Sequence, residues 1–309
     1  MNIDAKKSKL VVKHNSLIEA SFNLSLVENR IMLLAIVGAR KLQELTQDTP
    51  VTIKVSEYLQ QYPSSGRSSY LYLQEASKSL FERKFSYLHS NGGIAVERWV
   101  NRCIYHEDKG EIELYFGSTV IDMIGHIEKD FTKYFLESIS DFKSKYSIRI
   151  FELASKWERI GESPLYTLED FREKIGLEKD DYDRFCDLNR RVLDISQKEI
   201  NATDKIDFKV SYHFKKSGRS IVGIQLKVEP KVKKMKDLKP MKLTESQIDL
   251  FGDKLSRDVA FQSDYIAHVG ETTKDYAHRI KVALRDRENV TKWGEHLARL
   301  GFRAKYIPE

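Results

Sequence analysis

One order of elements occurs twice in this chain, and it restricts the possible fold more than any single motif. Between residues 167 and 228 the sequence reads as a short helix, a loop, a long helix and a two-stranded hairpin. Thr167-Leu-Glu-Asp170 opens the short helix, because a threonine hydroxyl can accept the free amide three residues on. Gly176 is placed to close it in a left-handed conformation. Residues 177–181 form the loop and 182–200 the long helix. Residues 206–214 and 220–228 are strands joined by Lys215-Lys-Ser-Gly-Arg219. The same order is legible earlier. Val51-Thr-Ile-Lys-Val55 alternates as a short strand, Ser56 caps a brief helix that Pro63 stops, and a longer helix covers about 70–85. Strands are expected around 94–105 and 111–116, on either side of the turn His106-Glu-Asp-Lys-Gly110. The halves share little identity, so what repeats is a pattern.

The flanking segments read differently. Residues 1–15 are short, basic and expected to lack a fixed place. Ser25-Leu-Val-Glu28 is a capping box ahead of a helix over 29–42, whose run Ile31-Met-Leu-Leu-Ala-Ile-Val37 is apolar all round and therefore buried on most sides. Residues 118–157 are expected to be mostly helical, including Phe131-Thr-Lys-Tyr134 and Ser144-Lys-Tyr-Ser-Ile-Arg-Ile150. Arg149 and Glu152 lie three apart there and can pair at a domain junction, a contribution of about 0.2–0.5 kcal/mol if exposed. Residues 231–243 hold six lysines and one aspartate and read as a linker. A helical region follows, opened by the capping box Thr244-Glu-Ser-Gln247 and ended near Gly301, with Trp293 and Phe302 packing its small core.

Composition removes several function classes. Apolar residues make up 41% of the 309 positions and charged residues 32%, as in an ordered protein with an ionic surface. The net charge of +6 favours a polyanionic partner without specifying a fold. Cys103 and Cys186 are the two cysteines, far apart and outside any Cys/His cluster, which argues against a disulfide framework or a structural zinc and fits a reducing cytoplasm. No stretch reaches the roughly 18 apolar residues of a membrane span, and the N-terminus lacks a signal-peptide pattern. There is no phosphate-binding GxxxxGK[ST] loop, no HExxH and no HxH pair. No catalytic site, cofactor or metal is therefore expected, and the chain reads as a binding protein, not an enzyme.

The repeated order is the outline of a winged helix, giving an α+β chain of two tandem winged-helix domains and a small helical C-terminal extension. The physical logic lies in the DNA major groove, about 12 Å wide, which admits one α-helix. The preceding helix crosses the backbone, and the hairpin can reach flanking phosphates. At 100° per residue, Phe185, Leu188, Val192, Leu193, Ile195 and Ile200 fall on one side of the 182–200 helix. Asp187, Arg190, Arg191, Asp194, Gln197 and Lys198 fall on the other. Arginine can grip guanine with two parallel donors and aspartate can accept from cytosine. A merely solvated helix would carry charges on the same side.

The stretch from Tyr182 to Asn201, with its core Arg190-Arg-Val-Leu193 and Lys198-Glu-Ile-Asn201, strongly resembles the recognition helix of iteron-binding plasmid replication initiators. Val12-Lys-His-Asn-Ser-Leu17, Phe131-Thr-Lys-Tyr134, Tyr146-Ser-Ile-Arg-Ile-Phe-Glu152 and Lys216-Ser-Gly-Arg219 agree in order and spacing. The resemblance covers roughly residues 8–230. It implies an N-terminal winged helix over 1–137 that dimerises and adds DNA contacts, and a main reader over 138–230. Residues 231–309 form a basic linker and helical region without an assigned role. It further implies double-stranded DNA with repeated origin sites as the partner, bound by monomers that help open the origin and recruit host replication proteins such as a helicase or its loader. Homodimers would repress the chain's own promoter. Carried over by motif, Asp187, Arg190, Arg191 and Lys198 are the candidate base readers, and Lys215, Lys216, Ser217 and Arg219 the candidate backbone contacts of the wing. Gln74, Ser77, Lys78 and Arg83 are weaker candidates in the first domain. A plain transcriptional repressor and an origin-nicking enzyme are the competing readings.

Overall fold

The computed structural model describes residues 9–63, 69–125, 127–231, 243–268 and 270–302. The chain starts with strand β1 (Leu10–His14) and a single turn of helix, α1 (Asn15–Glu19). Val11, Val12 and Lys13 are buried, so this segment has a fixed place, contrary to the expectation from its basic composition. Residues 1–8 lie outside the description. Helix α2 (Leu26–Ala39) starts at the expected box: Glu28 N–H donates to the Ser25 hydroxyl at 3.2 Å and Ser25 N–H to the Glu28 carboxylate at 2.6 Å. Residues 31–37 are buried without exception, as a helix apolar on every side requires.

The first winged helix continues through β2 (Val51–Lys54), α3 (Val55–Gln61) and α4 (Ser69–Glu82). Lys54, not Ser56, occupies the cap of α3, which begins directly after β2 without a capping side chain. Two hairpins follow. The first, β3 (Lys84–Leu88) with β4 (Ile94–Arg98), stands as its own two-stranded sheet, where the sequence suggested the end of a helix and the start of one long strand. The second is β5 (Val100–His106) with β6 (Glu111–Phe116), and β2 pairs along β6 to give the order β2-β6-β5. After α5 (Ser118–Ile124), residues 131–135 form strand β7 (Phe131–Phe135) instead of a helix. β7 pairs antiparallel with β1, in register from Leu10↔Phe135 to His14↔Phe131. β7 alternates buried and exposed positions, whereas the three central residues of β1 are all buried, and each strand covers the other's edge.

Helix α6 (Lys145–Trp157) follows. It is capped by the Ser144 hydroxyl, which accepts from Tyr146 N–H at 3.2 Å. Then come β8 (Tyr166–Thr167), α7 (Leu168–Lys174), α8 (Phe185–Leu188), a π-helical segment over Asn189–Leu193, α9 (Asp194–Ala202), β9 (Phe208–Ser217) and β10 (Ser220–Pro230). The sheet order β8-β10-β9 repeats β2-β6-β5: in both cases the strand before the short helix pairs with the second strand of the wing. One hydrophobic core runs from Val11 to Val228, with α6 packed against α1 and β7 on one side and α9 and β10 on the other. Residues 1–231 form one compact unit.

A second unit begins at Val232. It contains α10 (Glu245–Arg257), α11 (Val259–Asp264), α12 (Thr273–Ala283), α13 (Arg287–Lys292) and α14 (Gly294–Arg299). Thr244 and Gln247 make the expected capping box. Trp293 and Phe302 are buried with Phe261, Leu284 and Leu297 in a separate core, and Gly301 follows the last helix at φ 95°. Of the lysine-rich stretch, 232–242 lies outside the described residues. Among the described residues no helix is long and apolar enough to cross a membrane.

Candidate nucleic-acid interface

The second winged helix presents its long helix through a turn that the short helix shapes. Thr167 caps α7, its hydroxyl accepting from Asp170 N–H at 3.1 Å, and Gly176 ends it at φ 80°. From α7, Arg172 reaches across the loop and donates to the carbonyls of Asp181 and Tyr182 (3.1 Å to the latter). Tyr182 sits at φ 51°, so the chain turns sharply there and the helix starts at Phe185, three residues later than the periodicity suggested. Sequence reasoning missed Arg172. A long basic side chain on a helix gives no sign that it will gather backbone carbonyls.

The helix 185–202 is continuous but not uniformly α. Its π-helical segment at 189–193 widens the turn, and the buried positions along the helix are Leu188, Val192, Leu193, Ser196 and Ile200. Ile195, assigned to the buried side by an even 100° per residue, is therefore rotated outward and exposed. At the end of this segment the Leu193 carbonyl accepts from the Tyr212 hydroxyl of β9 at 3.1 Å. Burial raises the pKa of that hydroxyl and keeps it a donor. Asn201 fixes the helix C-terminus to the wing by a reciprocal pair with the Val210 backbone, 2.9 Å and 2.8 Å. Ser196 and Ser147 meet at 3.2 Å between their hydroxyls, letting α9 and α6 approach closely.

On the outer side the charged residues form a set. Asp187 accepts from Arg184 Nε at 2.9 Å and from Arg190 at 3.0 Å. The hydrogen bond from Arg184 is the main reason its carboxyl titrates below the ordinary aspartate range. The Arg190 side chain remains 69% exposed and that of Asp187 18%. Arg191 and Lys198 are exposed. Cys186 is exposed next to this set. The wing closes through Gly218 at φ 60°, with Ser217 and Ser220 paired across it, a conformation that glycine adopts without strain. Lys215, Lys216, Ser217 and Arg219 are all exposed, and the first three belong to β9 instead of a loop. Successive side chains of a strand alternate faces. Lys216 thus continues the face on which Phe214 meets Phe185 at 5.2 Å and Tyr212 meets Leu193, while Lys215 and Ser217 lie on the other.

In the first winged helix the four candidates separate. Gln74 is half-buried and Lys78 exposed, on a groove between α4 and β5 that Asn101 and Arg102 also line. Ser77 is buried and donates its hydroxyl to the Gln74 carbonyl at 2.7 Å, which removes it from any surface contact. Arg83 is engaged: its Nε lies 2.9 Å from the buried Glu28 carboxylate, which also accepts from the Ser79 hydroxyl at 2.6 Å. Burial alone would raise the Glu28 carboxyl, but these partners hold it below its ordinary range. Among the described residues no group of three or more His, Cys, Asp or Glu side chains is arranged to hold a metal ion.

Two helix–helix–wing units in tandem, the second with exposed arginines along the outer side of its long helix, define a tandem winged-helix protein. The initiator replication protein family supplies the match: its WH1 model fits residues 10–155 and its WH2 model residues 167–228. Together these span more than half of the chain, in the order the fold repeats. The chain belongs to this family of replication initiators. A replication initiation protein of Escherichia coli is 26% identical over 272 residues, covering 85% of this chain and 82% of that protein. The crystal structure of the Pi initiator protein in complex with iteron DNA shares the fold at a TM-score of 0.59, with 19% identity, over 74% of this chain and all of that one. The crystal structure of the WH1 domain of MSBI1.176, a replication protein isolated from a multiple sclerosis patient, is 35% identical over 32% of this chain and 79% of its own, with a TM-score of 0.29.

Proposed function

We propose that the chain reads repeated origin sequences in double-stranded DNA through the helix 185–202, with Arg190 and Arg191 gripping base edges. Asp187 orients Arg190 and accepts from a cytosine amino group, and Lys198 serves base edges or phosphate. Lys216, and beside it Lys215, Ser217 and Arg219, hold the flanking backbone. The observation that carries this reading is the pair of exposed arginines beside Asp187, one of them (Arg190) held by its carboxylate, on a helix whose other side is locked to β9 through Asn201 and Tyr212. A rigid helix with exposed guanidinium donors suits major-groove reading. The Pi initiator, which shares the fold, was crystallised on iteron DNA. In the first winged helix, Gln74 and Lys78 are the residues left to add auxiliary contacts.

As an initiator the chain binds direct repeats as a monomer, helps open the adjacent DNA and recruits host replication proteins such as a helicase or its loader. The dimer represses the chain's own promoter in this reading, and its self-association through the N-terminal winged helix is supported by the exposed apolar residues Leu88, Ile94 and Val96 on the separate β3–β4 sheet. Hydroxyl-radical footprinting on the DNA flanking the reading frame, with stoichiometry read by light scattering, tests the assignment. Protection of each direct repeat by one copy supports it. Protection confined to one inverted repeat by two copies makes the chain a plain repressor instead.

A further inference from the structure

The two winged helices of residues 1–231 meet around one stretch of backbone, Ile18 to Asn23, and a single guanidinium organises that meeting. Arg149 lies on α6 and is buried. Its Nη2 donates to the carbonyls of Ile18 and Ala20, at 3.0 and 2.9 Å, and also to that of Lys174, at 2.9 Å. Nε reaches the same Lys174 carbonyl at 3.1 Å, and Nη1 binds Glu152 at 2.7 Å. Its cationic carbon stands 3.9 Å from the centre of the Phe22 ring. One side chain thus ties the exit of α1, in the N-terminal winged helix, to the last turn of α7, in the C-terminal one.

Neighbouring contacts leave this seat little freedom. A Cβ on Gly176, just after α7, would collide with the Phe22 carbonyl oxygen. Asn23 donates to Glu178 at 2.8 Å and accepts from Lys145 at 2.7 Å. The Glu19 carboxylate pairs with Lys156 of α6 at 2.8 Å and Lys174 of α7 at 3.1 Å. Helix α7 also carries Arg172, which sets the turn into the reading helix. A continuous chain of polar contacts therefore runs from Ile18–Asn23 to the start of helix 185–202.

We propose that Arg149 is a positioning residue that fixes the spacing and rotational phase at which the two winged helices of one chain engage one duplex. This rests on the DNA-reading function proposed above. Each base pair inserted between the two footprints shifts them by roughly 3.4 Å and turns them by roughly 35°, given about 10 base pairs per 34–36 Å turn. A junction held by backbone carbonyls cannot follow that screw motion, whereas a loose tether can. The chain thereby selects repeats by internal spacing as well as by base sequence.

The test uses the full chain and duplexes carrying one direct repeat from the DNA next to its reading frame, either intact or with one or two base pairs inserted between the two footprints. A third duplex retains the C-terminal footprint alone. Kd is measured by fluorescence anisotropy at fixed salt. For the wild type, insertion should weaken binding by about 100-fold, because simultaneous engagement is lost. In Arg149→Met the insertion penalty should fall to about threefold, while affinity for the C-terminal footprint alone stays unchanged. If Arg149→Met does not fold, Glu19→Gln, at the half-buried edge of the same junction, should lower the penalty in the same direction. A full penalty in the folded variants, or a wild type that protects both footprints yet ignores insertions, overturns the proposal. A wild type that protects no repeat at all removes the DNA-reading function itself, and this proposal with it.

Discussion

Replacing Glu152 or Lys13, which touch each other, should have very different consequences. Around Glu152 the structure buries two cations and one carboxylate. Lys13 Nζ and the Tyr134 hydroxyl each donate to Oε1 at 2.6 Å, and Arg149 donates to Oε2 at 2.7 Å. The sequence suggested an Arg149–Glu152 pair at a domain junction, worth little if exposed, but all four side chains are buried. Burial alone would raise the Glu152 carboxyl, yet Lys13 and Arg149 outweigh it and hold that carboxyl below its ordinary range. Burial lowers the pKa of Lys13 and of Arg149 themselves. Glu152→Gln leaves two buried cations without a counter-charge, and breaking a buried pair in this way costs about 3–5 kcal/mol. Lys13→Met leaves Arg149 and Glu152 as a neutral one-to-one pair. It loses one charged hydrogen bond, worth about 1.5–3 kcal/mol, but recovers a desolvation cost of similar size, so its net effect should stay within about 1 kcal/mol of zero. Calorimetry of the full chain, reading the transition of the larger unit, should show a melting temperature lower by roughly 6–20 °C for Glu152→Gln and changed by less than about 4 °C for Lys13→Met. Equal losses in the two variants would refute the charge arithmetic.

Other outcomes follow from the same structure. Arg190→Ala and Arg191→Ala should each cost about 1–3 kcal/mol of specific binding and relax preference at one base position, as read by competition with single-base-substituted duplexes. Lys216→Ala should weaken all duplexes alike and lower the slope of log K against log salt by about one unit; an unchanged slope takes Lys216 off the phosphate. Glu19, Glu28 and Glu152 are all held below the ordinary carboxylate range, in each case by partners that outweigh burial. Their stabilisation is complete above an unfolded value of about 4.3 and is lost as pH falls through their lower folded values. Melting temperature should therefore be flat above that range and fall steeply below it, and Glu152→Gln should make the acid limb shallower.

The parts legible in the sequence were those set by local chemistry. The boxes at Ser25 and Thr244, the Thr167 cap and Gly176 stop of α7, and the glycine-tipped wing each rest on residues within a few positions of one another. What escaped depended on distant partners. β1 looked like a basic tail because its burial comes from β7, more than a hundred residues later. Phe131–Phe135 was taken for helix because its neighbours favour one, yet it covers the free edge of β1. The π-helical segment moved Ile195 outward because an even period cannot anticipate an inserted turn residue. Of the candidate contacts, those on helix 185–202 and the wing are at the surface. In the first domain Ser77 and Arg83 are taken up by the Gln74 carbonyl and by Glu28. Their polarity was visible in the sequence and their partners were not.

A sequence-selection experiment on the free full-length chain addresses the reading helix most directly. Duplexes recovered by binding from a randomised pool should converge on the repeat found beside the reading frame, and the pool recovered by Arg191→Ala should lose information at one position of that repeat. Recovery of unrelated sequences, or identical consensus motifs for the wild type and for both arginine variants, would mean that another surface of the protein chooses the site.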